Sequence, residues 1–194
     1  MSTAKRWVEE KHYLHSLGFF WNAYALIEDD QITGIVVYGP PSAPTKKFAF
    51  IDCNFRIYQL TRLVIQSETK NAASFLIANS MKQLPSQPCA VVSYADDSMG
   101  HCGIVYQATN WLYTGRLKDH VYSYLYEGEV YHSRTITRMG YSGPAEWAKK
   151  VGATRIPKRY KYRYFNFVGS KNQKKRMKKK LKYEIIFTSC KFFI

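Results

Sequence analysis

The sequence predicts an α/β (α+β) fold, and three observations lead there. From Phe55 to Leu117 the pattern runs strand, helix, strand, helix, strand, the alternation that builds a sheet covered by helices. No apolar run is long enough to span a membrane, and Ala90-Val91-Val92 is short, as in a buried strand. Hydrophobic residues make up 46% of the 194 residues and charged residues 22%, enough to build one domain-sized core.

Each element follows from its own residues. "AKRWVEEKHYLHSLG" reads as a helix, with Trp7, Val8, Leu14 and Leu17 at near-helical spacing and Gly18 as the stop. "FFWNAYALIED" and "GIVVYG" read as strands about the turn "DDQITG". "PPSAP" ends the second strand, because proline has no N–H for a ladder, and a loop is expected to about Lys46-Lys47. "FRIYQLTRLVIQ" is a strand, and "SETKNAASFLIANSMKQLP" a helix from about Asn71 that stops before Pro85. "CAVVSYAD" is a short buried strand, "GHCGIVYQATN" a helix that His101 caps or starts, and "WLYTGRL" a strand. "VYSYLYEGEVYHSRTI" is a β-hairpin about Glu127-Gly128. "PAEWAKKVG" makes one or two helical turns closed by glycine. "YKYRYFNFVG" is a basic, tyrosine-rich strand, and "SKNQKKRMKKKLKY" a basic helix with Ser170 as N-cap.

Charge divides the chain. Residues 1–115 hold nine Lys/Arg and nine Asp/Glu, so the whole net charge of +15 sits in residues 116–194. Between Arg155 and Tyr183 there are 13 basic residues and no acidic one. That field suits a polyanion, through counterion release on nucleic acid or contact with acidic lipid, and the interleaved tyrosines favour nucleic acid. The expected organisation is a core over residues 1–118 and a basic, nucleic-acid-contacting part of the same domain over 119–194. Lys158, Arg159, Lys161, Arg163, Lys174, Lys175 and Arg176 are the expected phosphate contacts. The four cysteines are scattered without a C-x-x-C pair, and the first residues do not read as a signal peptide. Both point to free thiols in a reducing cytoplasm.

Two places are able to hold chemistry. At "QSETKNAAS" a strand opens into a helix whose first N–H groups, near Asn71 to Ser74, offer a phosphate site beside Lys70. An ordinary N-capped helix explains the same residues, because no glycine-rich phosphate motif is present. At "SYADDSMGHCGIVYQATNW", Asp96 follows a strand, His101 precedes a helix and Tyr106 lies further in, an acid/base or metal set. A turn, a cap and a packed aromatic account for the same three residues. His12 and His15 have i, i+3 spacing, a weak metal signature.

Five segments occur in one order: "GIVVYGPPSAP", "FRIYQLTRLVIQ", "KNAASFLIANSMKQL", "VSYADDSMGHCGIVYQATNWLYTG" and "KYRYFNFVGSKNQKKRMKKKLKY". Together they resemble the phage Mom family of DNA-modification proteins, over about Val8 to Tyr183. The resemblance implies a GNAT-like acyltransferase fold, a mixed, splayed sheet flanked by helices, here with a basic C-terminal hairpin, strand and helix. It implies conversion of adenine in phage DNA to an N6-carbamoylmethyl (acetamido-type) derivative that blocks host restriction enzymes, in the host cytoplasm and without a membrane. It implies acetyl-CoA or another activated acyl or glycyl donor, as a CoA thioester or an aminoacyl-tRNA. The donor's phosphates would meet Lys70, Asn71 and Ser74, with Arg62 as a second contact.

The resemblance also implies iron, with His12, Tyr13, Asp96 and Tyr106 in the ligand positions. Tyr106 equally occupies the place of a tyrosine acid for the leaving group. The tail "YEIIFTSCKFFI" lacks the proline-rich ending associated with the family, and no separate DNA-binding motif stands out. An amine inside a duplex has to be unstacked or flipped to react, and Tyr38 and Trp111 are the expected aromatic platforms. Two other classes compete: a GNAT-type N-acetyltransferase acting on another amine, and a non-catalytic basic nucleic-acid-binding protein.

Overall fold

The structure is a computed structural model, and it describes residues 3–12, 17–97, 100–118, 122–156 and 160–187. The fold is a mixed α/β sheet flanked by helices. The elements are α1 (Thr3–Lys11), β1 (Asn22–Glu28), β2 (Gln31–Gly39), α2 (Ala43–Phe48), β3 (Arg56–Ile65), α3 (Ala72–Lys82), β4 (Cys89–Asp96), α4 (Ile104–Ala108) and β5 (Leu112–Lys118). They continue with β6 (Ser123–Tyr126), β7 (Glu129–His132), α5 (Ser133–Arg138), α6 (Pro144–Val151), β8 (Thr154–Ile156), β9 (Tyr160–Val168) and α7 (Lys171–Lys180). The main sheet has the order β1-β2-β3-β4-β9-β5, and a second sheet has the order β7-β6-β8. β1, β2 and β3 pair antiparallel, and β3 pairs with β4 in parallel, Leu60 opposite Ser93.

The chain divides into two compact units. The first holds residues 1–95, 102–115 and 162–194, and the second residues 96–101 and 116–161. In the first, strand alternation sorts side chains to two faces. Val36, Tyr38, Tyr58, Leu60, Val91, Tyr106 and Tyr164 pack with α3 on one face. Ile35 and Val37 pack on Val8 and Leu17 on the other. That other face continues through Ala90, Val92, Phe165 and Phe167, which α7 covers with Met177. The second unit has its own small core, where Tyr124, Tyr126, Tyr131 and Tyr141 surround Trp147.

Four expectations need correction. The stretch after Pro41 is not a loop but α2, because Pro44 sits in its first turn, where a missing N–H costs nothing. The first helix ends at Lys11, so His12 follows it. The hairpin about Glu127-Gly128 forms, but Ser133–Arg138 coils into α5 instead of extending β7, which drives Ile136 into the core around Trp147. His101 does not start α4. That helix begins at Ile104 after Gly103, which has φ +85° and faces the Tyr164 ring where a Cβ would stand 2.4 Å away. Only glycine combines that dihedral with that contact.

The expected N-cap of α7 is a complete capping box. The Gln173 N–H donates to the Ser170 hydroxyl, and the Ser170 N–H donates to the Gln173 side-chain oxygen at 2.8 Å. A helix so rich in lysine repels itself, so a reciprocal cap and the inward Met177 are what anchor it.

Candidate functional site

Tyr106 is the most closely held chemical group of the first unit. Gly103 lets α4 start close against Tyr164, and α4 then turns Tyr106 into the face shared by Val91, Ser93 and Ala95. The Ser93 hydroxyl donates to the Tyr106 hydroxyl at 2.8 Å and also faces the Leu60 carbonyl at 3.1 Å. The ring packs against Trp111 and Tyr164, at centroid separations of 5.1 and 5.2 Å. Tyr164 is itself fixed, donating to the Cys102 carbonyl at 2.7 Å and accepting from Gln107 at 3.1 Å. Burial raises the Tyr106 pKa above the ordinary phenol range, and the Ser93 bond opposes that only in part. The phenol therefore keeps its proton at neutral pH.

The turn into α3 carries the expected phosphate contacts. Asn71 is the N-cap in the left-handed region, φ 65°, and its side chain makes no cap bond. Lys70 is exposed, and Ser74 lies half-buried in the first turn. The preceding loop is already satisfied from within. The Gln66 and Ser67 N–H groups donate to the Thr33 carbonyl, Thr69 N–H to the Ser67 hydroxyl, and Ala72 N–H to the Thr69 carbonyl. The Thr33, Ser67 and Thr69 hydroxyls all donate to the Glu28 carboxylate. Those donors, Thr33 foremost, hold Glu28 below the usual carboxylate range. An open groove of about 630 Å³ runs here between Glu28, Asp29, Thr33, Ser67, Glu68 and Thr69. A pyrophosphate does not fit along this acidic loop. What fits a phosphate is the helix end itself: first-turn amides that have no intrahelical partner, with Lys70 and the Ser74 hydroxyl.

Arg62 lies on β3, half-buried, and donates to the Thr61 carbonyl at 2.7 Å. His12 is buried beside α1, its N–H bonded to the Val8 carbonyl. Asp96 ends β4, and its carbonyl accepts the His101 N–H at 3.2 Å. Tyr13 lies outside the described residues. Of the expected iron ligands, His12, Asp96 and Tyr106 lie among the described residues. Among the described residues no three His, Cys, Asp or Glu side chains gather to hold a metal ion.

Three expected roles fail on burial. Tyr38 is 0% exposed and its hydroxyl is bonded to Ser80 at 2.8 Å, so it offers no platform for a base. Trp111 is likewise in the core, with an indole Nε1 that has no hydrogen-bond partner. Arg163 does not face phosphates. It points inward with Phe165 and Phe167, donates to the Thr114 hydroxyl and carbonyl at 2.9 and 2.8 Å, and lies under the Tyr183 ring at 3.3 Å. Lys174, Lys175 and Arg176 are exposed on α7, Lys161 is half-buried, and Lys158 and Arg159 lie outside the described residues. The partner to Tyr106, Ser93, is missed by sequence reasoning. Its signal is a hydroxyl inside an apolar strand, at the alternate positions of Cys89, Val91 and Ala95.

No helix among the described residues is long and apolar enough to cross a membrane. The described cysteines Cys53, Cys89 and Cys102 are free.

The sequence profile of the Mom protein family matches residues 1–185. The methylcarbamoylase mom of Escherichia phage Mu is 29% identical over 191 residues, covering 92% of this chain and 76% of that protein. Among solved structures, Arabidopsis thaliana NAA60 in complex with a bisubstrate analogue is similar at 13% identity and a TM-score of 0.49, covering 78% of each chain. The same enzyme in complex with acetyl-CoA gives 12% identity and a TM-score of 0.46, covering 76% of each.

Proposed function

This chain belongs to the Mom protein family, and from that premise we propose that it converts adenine in DNA to the N6-carbamoylmethyl derivative and so shields phage DNA from restriction in the host cytoplasm. The observation that carries the reading is the family match over residues 1–185. The chemistry of Tyr106 supports it. Glycyl transfer to the weak amine forms a bond from N6 to the donor's carbonyl carbon and breaks that carbon's bond to the thiolate sulfur or tRNA oxygen. The N6-glycyl group so formed is an isomer of carbamoylmethyl, reached when N6 passes from the carbonyl carbon to the CH2 carbon and the amine passes the other way. N6 loses a proton and the leaving group gains one. A phenol kept neutral by burial and oriented by Ser93 is suited to supply that second proton. Asp96 is assigned to N6, as the acceptor of its proton, and His101 to the same turn as a positioning group.

The donor is an activated acyl or glycyl compound, a CoA thioester or an aminoacyl-tRNA, with a phosphate at the first turn of α3 against Lys70, Asn71 and Ser74 and a second contact from Arg62. The basic part of the chain, with exposed Lys174, Lys175 and Arg176, takes the phosphates of double-stranded DNA. The target base leaves the stack to react.

Expression in a restriction-sensitive host tests the reading. DNA from expressing cells is expected to resist several unrelated restriction enzymes that cut at adenine-containing sites. Digestion as complete as that of control DNA overturns the reading.

A further inference from the structure

One surface of the first unit is both basic and apolar, and the function proposed above leaves half of it unused. The segment after α2 pairs with the end of α7. Ile51 N–H donates to the Lys180 carbonyl at 2.8 Å, Lys182 N–H donates to the Ala49 carbonyl at 2.9 Å, and Phe50 bridges Leu181. Lys180 Nζ reaches back to the Asp52 carbonyl at 2.8 Å. These bonds tie the segment after α2 to the end of α7.

Within this segment Ala49 and Phe50 are buried, yet Phe48 is 53% exposed and Ile51 is 51% exposed. Phe48 adjoins basic groups of its own helix. Lys46 and Lys47 are exposed on α2, and Lys47 Nζ stands 5.2 Å over the Phe48 ring. Asp52 is the acid of the segment.

A solvent-exposed aromatic ring beside lysines is an arrangement that binds an unpaired polynucleotide: a base stacks on the free ring face and the flanking phosphates meet the lysines. A duplex has no free base face to offer. We propose that this exposed edge, the α2 ledge, holds an unpaired stretch of a DNA strand, with one base stacked on Phe48, Ile51 packed beside it, and phosphates on Lys46 and Lys47. This rests on the reading of the chain as a DNA-modifying enzyme, which itself requires a duplex to be opened. Charge selects the occupant: the lysines favour a polyanion over a second copy of this equally basic chain.

The test uses the full chain and a fluorescently labelled 15-mer oligodeoxythymidine, beside a duplex of the same length, in anisotropy titrations at several salt concentrations. Phe48→Ala, an exposed substitution, is expected to weaken single-strand binding about tenfold and to leave duplex binding and the salt slope unchanged. Lys46→Gln with Lys47→Gln is expected to flatten the single-strand salt slope by about 0.7 for each phosphate that is no longer neutralised. Wild-type binding by Phe48→Ala overturns the proposal, as does an equal loss on duplex, or no single-strand binding by the wild type. Phe48-dependent binding to phosphatidylglycerol vesicles without oligonucleotide binding assigns the ledge to a lipid surface instead, and Phe48-dependent dimerisation in sedimentation assigns it to a second copy. Nucleoside analysis of DNA treated with the same wild-type preparation separates the two failures. Modified adenine together with an indifferent Phe48→Ala sinks the ledge alone.

Discussion

The hydroxyls of Ser93 and Tyr106 lie 2.8 Å apart inside the sheet-to-α3 core, Ser93 on β4 and Tyr106 on α4. Burial keeps the phenol protonated, and Ser93 sets where its oxygen lies. If Tyr106 supplies the leaving group's proton, Tyr106→Phe lowers turnover by about 10²- to 10⁴-fold and leaves DNA affinity unchanged, as measured by single-turnover kinetics beside a binding titration. Ser93→Ala lowers turnover less. It also leaves the Tyr106 hydroxyl short of a buried partner, at a cost of about 1–3 kcal/mol in unfolding free energy.

Stability responds to pH through the same burial. Tyr106 and Tyr38 have raised pKa values, and burial pushes the Cys89 thiol up to about 12. A group whose folded pKa exceeds its unfolded one contributes stability that is fully present below the unfolded value and is lost as pH rises through the folded one. Denaturant midpoints are therefore expected to fall from about pH 9 upward, where unfolded thiols and then phenols ionise. Glu28 works in the opposite sense. Its lowered pKa gives stability that is lost as pH falls below the ordinary carboxylate range, and Glu28→Gln removes that acid-side loss in the same titration.

Arg163 and the lysines of α7 are predicted to separate cleanly. Lys174→Glu with Lys175→Glu weakens duplex binding and flattens its salt dependence, with melting temperature little changed. Arg163→Ala does the reverse. It strips the Thr114 carbonyl and hydroxyl of their donors and uncovers Tyr183, costing about 1–3 kcal/mol in stability, while the salt slope holds.

Gly103→Ala places a methyl group against the Tyr164 ring and forces an alanine to φ +85°. A loss of more than about 1 kcal/mol in unfolding free energy is expected, together with a fall in turnover, because Tyr164 braces Tyr106.

Ser170→Ala opens the capping box of α7 and is expected to cost about 1 kcal/mol. A thermal melt checks it. Ser170→Asp, which keeps an oxygen acceptor at the cap, is expected to restore most of the loss.

Much of the fold is legible in the chain itself. Ser170, Pro85 and the run "CAVVSYAD" mark their elements by local chemistry, so α7, α3 and β4 fall where the residues put them. What is not legible depends on partners distant in sequence. Pro40 ends a strand and Pro44 opens a helix, and the same residue type gives both signals. Arg163 reads as a surface cation beside Lys161, but strand alternation sends it inward with Phe165 and Phe167. Tyr38 reads as an available aromatic, and only the packing of α3 with its Ser80 hydroxyl shows it closed off. Ser93 becomes visible as a functional neighbour only when α4 brings Tyr106 to it.

Nucleoside mass spectrometry of DNA from cells expressing the wild-type chain, beside cells expressing Tyr106→Phe, tests the central claim most directly. The account predicts an adenine nucleoside heavier by one carbamoylmethyl group in the wild-type sample and a severe reduction of it in the variant. Unmodified adenine alone in the wild-type sample, or equal modification in both, contradicts it.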